Sequence, residues 1–148
     1  MSARAVKTLR EIMRDGFIFA IQSDGMVAEA GRMMEAHNIG IVSVLEGERL
    51  VGLFSERDIV RRVNNRGLNP ATTPVGDVMT FDLVVADPDD DYQTAMRKMD
   101  QANIRHLPIV SGDRLVSMLS IRDLMRVEME RMTEEIRYLH EYLYQVPR

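Results

Sequence analysis

The sequence predicts an α/β (α+β) fold: two β-α-β-β-α repeats packed about a pseudo-twofold, plus a long C-terminal helix. Three observations lead there. First, the stretch Arg49-Leu50-Val51-Gly52-Leu53-Phe54-Ser55-Glu56-Arg57-Asp58 returns 65 residues later as Arg114-Leu115-Val116-Ser117-Met118-Leu119-Ser120-Ile121-Arg122-Asp123. At the same shift the halves share Ala30/Ala95, Met34/Met99, Asn38/Asn103, Gly47/Gly112 and Arg61/Arg126. Met13 matches Met79 at a shift of 66, so the first copy carries one extra residue. Second, within each copy strand-length apolar runs alternate with stretches of helical periodicity. A unit of this size buries little surface alone, so the two copies are expected to pack on each other. Third, Met125, Met129, Met132, Ile136, Leu139 and Leu143 alternate steps of four and three, a heptad stripe along one helix face.

Taken in order, Val6, Leu9, Ile12 and Met13 recur at helical spacing and predict a short helix within 3–14. Residues 17–21 form an apolar run of strand length. Ser23 or Asp24 offers an N-cap to an amphipathic helix over 24–37, with Met26, Val27, Ala30, Met33 and Met34 on its apolar face. Residues 39–45 are almost continuously apolar, as in a buried strand. Glu46-Gly47-Glu48 turns the chain, 50–54 returns it, and 56–65 is a second helix. Residues 64–74, rich in Asn, Gly, Thr and Pro, read as a linker.

The second copy repeats the scheme. Residues 83–86 are a short strand, and Asp87-Pro88 opens a helix, since Asp suits the cap and Pro the first turn. Tyr92, Ala95, Met96 and Met99 form that helix's apolar face. Residues 104–110 are the next strand. Pro108 inside it cannot donate a ladder hydrogen bond, so it marks an edge or an irregular point. Ser111-Gly112-Asp113 turns the chain, 115–119 returns it, and a helix begins after Ser120. The expected division is 8–65 for the first repeat, 66–76 for the linker, 77–128 for the second repeat and 129–148 for a C-terminal helical extension. Glu130, Arg131, Glu134, Glu135, Arg137 and Glu141 fill the face opposite the stripe. So small a domain offers such a helix little surface to cover, and the stripe predicts a homodimer.

Composition narrows the function. A net charge of −4 argues against a nucleic-acid binder, which carries a basic bias. With no cysteine there is no disulfide framework, thiolate nucleophile or thiolate metal site, which fits a cytoplasmic location. No apolar run approaches the ~18–20 residues of a membrane span. The first fourteen residues lack the apolar core of a signal peptide. The 12 methionines read as packing plasticity. No Gly-rich phosphate loop, nucleophile–base pair or metal constellation is present, so no catalytic residues are assigned.

The residues that carry chemistry sit at the repeated strand-to-helix junction. A carboxylate accepts from both hydroxyls of a ribose. A helix N-terminus offers unpaired N–H groups to phosphate, and Arg adds a planar, charge-assisted contact. The same Ser-x-x-Asp spacing is also that of a capping box, in which Ser55 and Asp58, or Ser120 and Asp123, satisfy each other's backbone. Capping does not require Arg57 or Arg122. Arg105-His106 can be phosphate ligands or an exposed strand ladder. His37 and His140 read as surface or packing groups. The acidic run Asp87, Asp89, Asp90 and Asp91 reads as the acid-rich start of a helix rather than a magnesium site.

Val78-Met79-Thr80, Ile104-Arg105-His106-Leu107-Pro108-Ile109-Val110 and Ser120-Ile121-Arg122-Asp123, in that order, resemble a cystathionine-β-synthase (CBS) domain. Two in tandem resemble a stand-alone CBS pair, or Bateman module, over about residues 8–128. The first copy departs from the pattern, with Gly40-Ile41-Val42-Ser43 where the second has Arg105-His106-Leu107-Pro108. The resemblance implies a non-catalytic regulatory module that binds AMP, ADP, ATP, S-adenosylmethionine or NAD(H) in two clefts between the copies and signals to an effector protein. It implies that one cleft combines Ser55, Arg57 and Asp58 with Thr80, Val85, Ile104, Arg105 and His106. The other combines Ser120, Arg122 and Asp123 with Arg14, Ala20, Ile39, Gly40 and Ile41. On that division the Asp58 cleft is the more basic, and the Asp123 cleft is poorer in charge. The competing reading is a structural or interaction protein with empty clefts that works through its C-terminal helix.

Overall fold

The computed structural model describes residues 7–13 and 18–144, so the expected contributions of Val6, Arg14 and Phe17 lie outside the described residues. Its elements are α1 (Leu9–Ile12), β1 (Ala20–Gln22), α2 (Val27–His37), β2 (Ile41–Glu46), β3 (Arg49–Ser55), α3 (Glu56–Asp58), α4 (Tyr92–Ala102), β4 (His106–Ser111), β5 (Arg114–Ser120) and α5 (Ile121–Tyr144). A π-helical stretch, Ile59–Asn64, continues α3, and a 3-10 turn covers Val75–Asp77. The two repeats predicted from the sequence are present, the second with an isolated bridge at Ala86 in place of its first strand, followed by the long helix.

Each copy contributes a hairpin. The β2–β3 turn passes through Gly47 and the β4–β5 turn through Gly112, at φ +66° and +68°, a region glycine enters without penalty. The hairpins join into one sheet of order β1-β2-β3-β5-β4. They meet at Arg49 opposite Arg114, residues related by the repeat, so the pseudo-twofold passes between them. Further along, Leu53 of β3 exchanges backbone hydrogen bonds with Thr80 at 2.8 and 2.9 Å. The hairpins thus join near their turns and part toward Ser55 and Ser120, where the two helices begin.

There are two cores, and each is completed by the other copy's lead-in. Leu9 and Ile12 of α1 pack with Tyr92, Met99, Leu107 and Leu119 of the second copy. The N–H groups of Leu9 and Arg10 donate to the Asp90 and Pro88 carbonyls. In exchange, Val75 and Val78 join Val27, Met34, Val44 and Phe54 of the first copy. This exchange is the physical content of the pairing: a copy alone leaves a core open.

Three local expectations are corrected. Helix α2 starts at Val27 behind Met26, not at a Ser23 or Asp24 cap. Its Val27 and Ala28 N–H groups donate to the carbonyls of Thr73 and Pro70 in the linker, so no side-chain cap is needed there. Helix α4 starts at Tyr92, capped by Asp91, which accepts from the Gln93 N–H at 3.0 Å. Asp87-Pro88 instead begins a turn closed by side chains: Asp87 Oδ1 accepts from the Asp89 N–H and Asp90 Oδ2 from the Asp87 N–H. Residues 83–86 form no strand. Ala86 alone bridges to Ile109, and Lys98 Nζ takes the Val85 carbonyl at 3.0 Å. Pro108 meets both of its expectations, since β4 ends the strand order and its register shifts at Ile109/Val110.

Helix α5 is anchored at its start by the second core. Leu124 is buried in the second core, and Tyr92 Oη donates to Glu128 Oε2 at 2.9 Å. Arg131 forks onto Glu128 and reaches Glu135 at 2.7 Å. Among the described residues the heptad stripe is exposed: Met129 is 62% exposed and Ile136 and Leu143 each 65%.

Candidate functional site

Both Ser-x-x-Asp junctions are capped helix starts. Ser55 ends β3 in extended geometry, and its hydroxyl accepts from the Asp58 N–H at 3.2 Å. Asp58 Oδ2 accepts in return from the Ser55 N–H at 3.0 Å. Ser120 and Asp123 repeat the exchange at 3.1 and 2.9 Å. The capping reading therefore holds at both ends of the pseudo-twofold. What separates them is the second carboxylate oxygen.

At the first junction that oxygen is occupied. Asp58 is only 8% exposed. Its Oδ1 accepts from Thr80 Oγ1 at 3.5 Å and faces Arg62 Nε at 3.7 Å. Arg62 also donates to the Met79 carbonyl at 2.8 Å, tying the 78–80 segment to the helix. Gly52 permits this close approach: a Cβ there would collide with the Met79 side chain and lie 2.9 Å from the Thr80 carbonyl oxygen.

At the second junction the position equivalent to Arg62 is Val127. Asp123 is half-buried, and among the described residues its Oδ1 has no hydrogen-bond partner. Asp123 lines a cavity of about 460 Å³ between the parted hairpins. Arg105, His106, Ser120 and Arg122 bring polar groups to the same cavity, beside the start of α5. Phe19, Ile39, Ile41 and Met118 supply apolar wall, and Gly40 and Asn38 complete the side formed by the first copy. Strand register sorts the wall: His106 lies opposite Ser120 and Pro108 opposite Met118, so Met118 is two residues further into the sheet. The cavity is polar at the helix start and apolar along the strands.

His106 is half-buried, and that burial holds its imidazole below the ordinary value, with Asp123 pulling the other way and Arg105 adding to the depression. Near neutrality the site thus presents two guanidinium groups, a neutral imidazole and one carboxylate oxygen without a hydrogen-bond partner among the described residues. Such a set can accept from a diol and hold an anion, while the apolar end takes a flat ring.

The structure brings Thr80 to Asp58, and Ile39, Gly40 and Ile41 to the cavity that Asp123 lines. It places Arg105 and His106 on the Asp123 cavity, so the expectation that this side is poorer in charge is overturned. Val85 gives its carbonyl to Lys98, and Ile104 packs against the second core. Arg57 is exposed on α3. Ala20 pairs with Ser43 across β1–β2, and its neighbour Phe19 reaches the cavity instead. Phe19 also stacks on His37, with ring centroids 4.4 Å apart. Asn38, Ser43 and Met118 are cavity residues the sequence reading missed. Asn38 had a signal, because it and Asn103 recur at the repeat spacing and both end their helices in the left-handed conformation, at φ 52° and 54°. Ser43 had one too, as the polar residue inside an apolar strand.

The CBS domain pattern matches residues 9–65 and 75–130. The chain belongs to the CBS domain family. It is similar to the mitochondrial CBS domain-containing protein CBSX3 of Arabidopsis thaliana, at 30% identity over 92% of this chain and 71% of that one. It is similar to the CBS domain-containing protein YhcV of Bacillus subtilis, at 34% identity over 72% of this chain and 76% of that one. Among solved structures, the CBS domain pair of protein MJ0100, in complex with 5′-methylthioadenosine and S-adenosyl-L-methionine, superposes with a TM-score of 0.73 at 20% identity, covering 86% of this chain and 99% of that one. CBS domains act as regulatory, nucleotide-sensing modules rather than catalysts. Among the described residues no group of His, Cys, Asp and Glu is placed to hold a metal ion, and no helix is long and apolar enough to cross a membrane.

Proposed function

We propose that this CBS pair is a ligand-sensing homodimer whose Asp123 cleft binds an adenosine-containing nucleotide: AMP, ADP, ATP or NAD(H). The observation that carries this reading is the Asp123 oxygen that has no hydrogen-bond partner among the described residues, set beside Arg105, Arg122 and His106 in one cavity with an apolar end. Asp123 accepts from the ribose hydroxyls. The two arginines and the N–H groups at the start of α5 hold phosphate. The apolar wall takes the base. The ligand makes no covalent change; it acts by its different affinity for two arrangements of the pair, which an effector protein reads. The Asp58 junction, with its carboxylate already held by Thr80 and Arg62, serves the fold.

The exposed stripe of α5 supports the homodimer. Its Met132, Ile136, Leu139 and Leu143 lie beyond residue 130, where the family pattern ends. Ile136 and Leu139 fall at the a and d positions, the choice that favours two strands. The same stripe also favours a second reading, in which the clefts stay empty and α5 is the working surface. Calorimetric titration with AMP, ATP and NAD⁺, paired with melting curves, separates the two. One nucleotide bound per chain and a raised melting temperature is the expected result. No heat and no shift with all three would leave only the interaction reading.

A further inference from the structure

Resting on the Asp123 site above, we propose that Ser43 reads the base of the ligand: its hydroxyl hydrogen-bonds the edge of a purine ring seated at the apolar end of the cavity. Ser43 lies in the middle of β2, is 1% exposed, and forms part of the cavity wall. Among the described residues its Oγ is the buried side-chain polar atom left without a hydrogen bond. A buried hydroxyl in that state has given up water and received nothing, so such groups are few in folded proteins.

The sheet does not need the hydroxyl. Ser43 is flanked by Val42 and Val44, and its backbone N–H is already satisfied by the Phe19 carbonyl at 2.9 Å. Its counterpart across the pseudo-twofold is Pro108, which brings no polar side-chain atom. The hydroxyl therefore belongs to this cleft and not to the repeat.

Its position suits a base. Ser43 is two residues along β2 from Ile41, as Met118 is two along β5 from Ser120. That step is about 7 Å of strand, comparable to the reach from a ribose held at the junction to the far edge of its base. Around it stand Phe19, Ile41 and Met118, which pack on the ring faces and offer no side-chain hydrogen bond to its edge apart from the weak thioether. A hydroxyl donates and accepts and turns about one bond, so it matches the adjacent donor and acceptor of an aminopurine edge.

The test compares the wild type with Ser43→Ala, using AMP by calorimetry and ribose 5-phosphate, which has no base, by NMR titration. Expected are an unligated melting temperature equal to or above the wild type's, since the unpaired hydroxyl is gone, and about a tenfold loss of AMP affinity. Ribose 5-phosphate should bind both proteins alike. Equal AMP affinity in the two proteins overturns the role of Ser43 while leaving the nucleotide site standing. Equal proportional losses for both probes, or a lowered unligated melting temperature, assign Ser43 to the scaffold and overturn it as well. AMP failing to bind the wild type removes the site reading, and this inference with it.

Discussion

The junctions ending at Asp58 and Asp123 share a motif, a reciprocal cap and a symmetry axis, yet their second carboxylate oxygens meet different surroundings. Asp58 spends its second oxygen on Thr80 and Arg62, holding the second copy's lead-in against β3. Asp123 lines a cavity, its second oxygen has no hydrogen-bond partner among the described residues, and Val127 stands where Arg62 would be. One duplicated element has become a structural clamp in one copy and a candidate binding group in the other. The lesson is that a motif's role is set by its neighbours four residues on and across the sheet.

The comparison is broken most directly at the two carboxylates. Asp123→Ala removes the proposed ribose acceptor, and nucleotide affinity measured by calorimetry should fall about a hundredfold, the equivalent of two charge-assisted hydrogen bonds. Asp58→Ala should leave affinity within about twofold but cost about 2 kcal/mol of stability, through the lost cap and the stranded Arg62. That loss should appear as a fall of roughly 6 °C in melting temperature. Equal affinity losses from both substitutions would restore symmetry to the two clefts. Val127→Arg sharpens the contrast by supplying the second copy with the first copy's cation. It should occupy Asp123 and weaken nucleotide binding about tenfold, read by the same titration.

The smallest effect is in pH. Burial lowers the His106 pKa, so the unfolded chain takes up that proton first as pH drops below the ordinary value of 6.5, and stability falls across that window. A bound phosphate favours the imidazolium, so binding draws in a proton. Nucleotide affinity should rise a few-fold from about pH 7.5 to about pH 6, and His106→Gln should flatten that rise.

The fold was legible because its signals repeat. Gly47 and Gly112, Ser55 and Ser120, and the apolar runs between them define the hairpins and helix starts twice over. Helix starts were less legible where their partners lie far along the chain. No local pattern announces that Pro70 and Thr73 carbonyls take the first N–H groups of α2. The site was half legible. Ser120, Arg122 and Asp123 stand out by motif, and Ile39 to Ile41 by resemblance. Which wall carries Arg105 and His106 depends on how the hairpins part, and only the three-dimensional arrangement contains that. Phe19 was hidden within an apolar run whose members look alike, and the signal of Ser43, a lone polar residue, was outweighed by the apolar pattern of its strand.

Asp123 is the third residue of α5, and Leu143 lies at the other end of the same unbroken rod. A rod of 24 residues spans about 36 Å. A rotation of about 2° imposed at its base would carry the tip through about 1 Å, as much as a packed helix interface can absorb before it rearranges. The helix that a ligand would grip by its first turn is thus also the one that offers an apolar seam to another chain. Sensing and reporting need no relay between them, since both ends belong to a single lever.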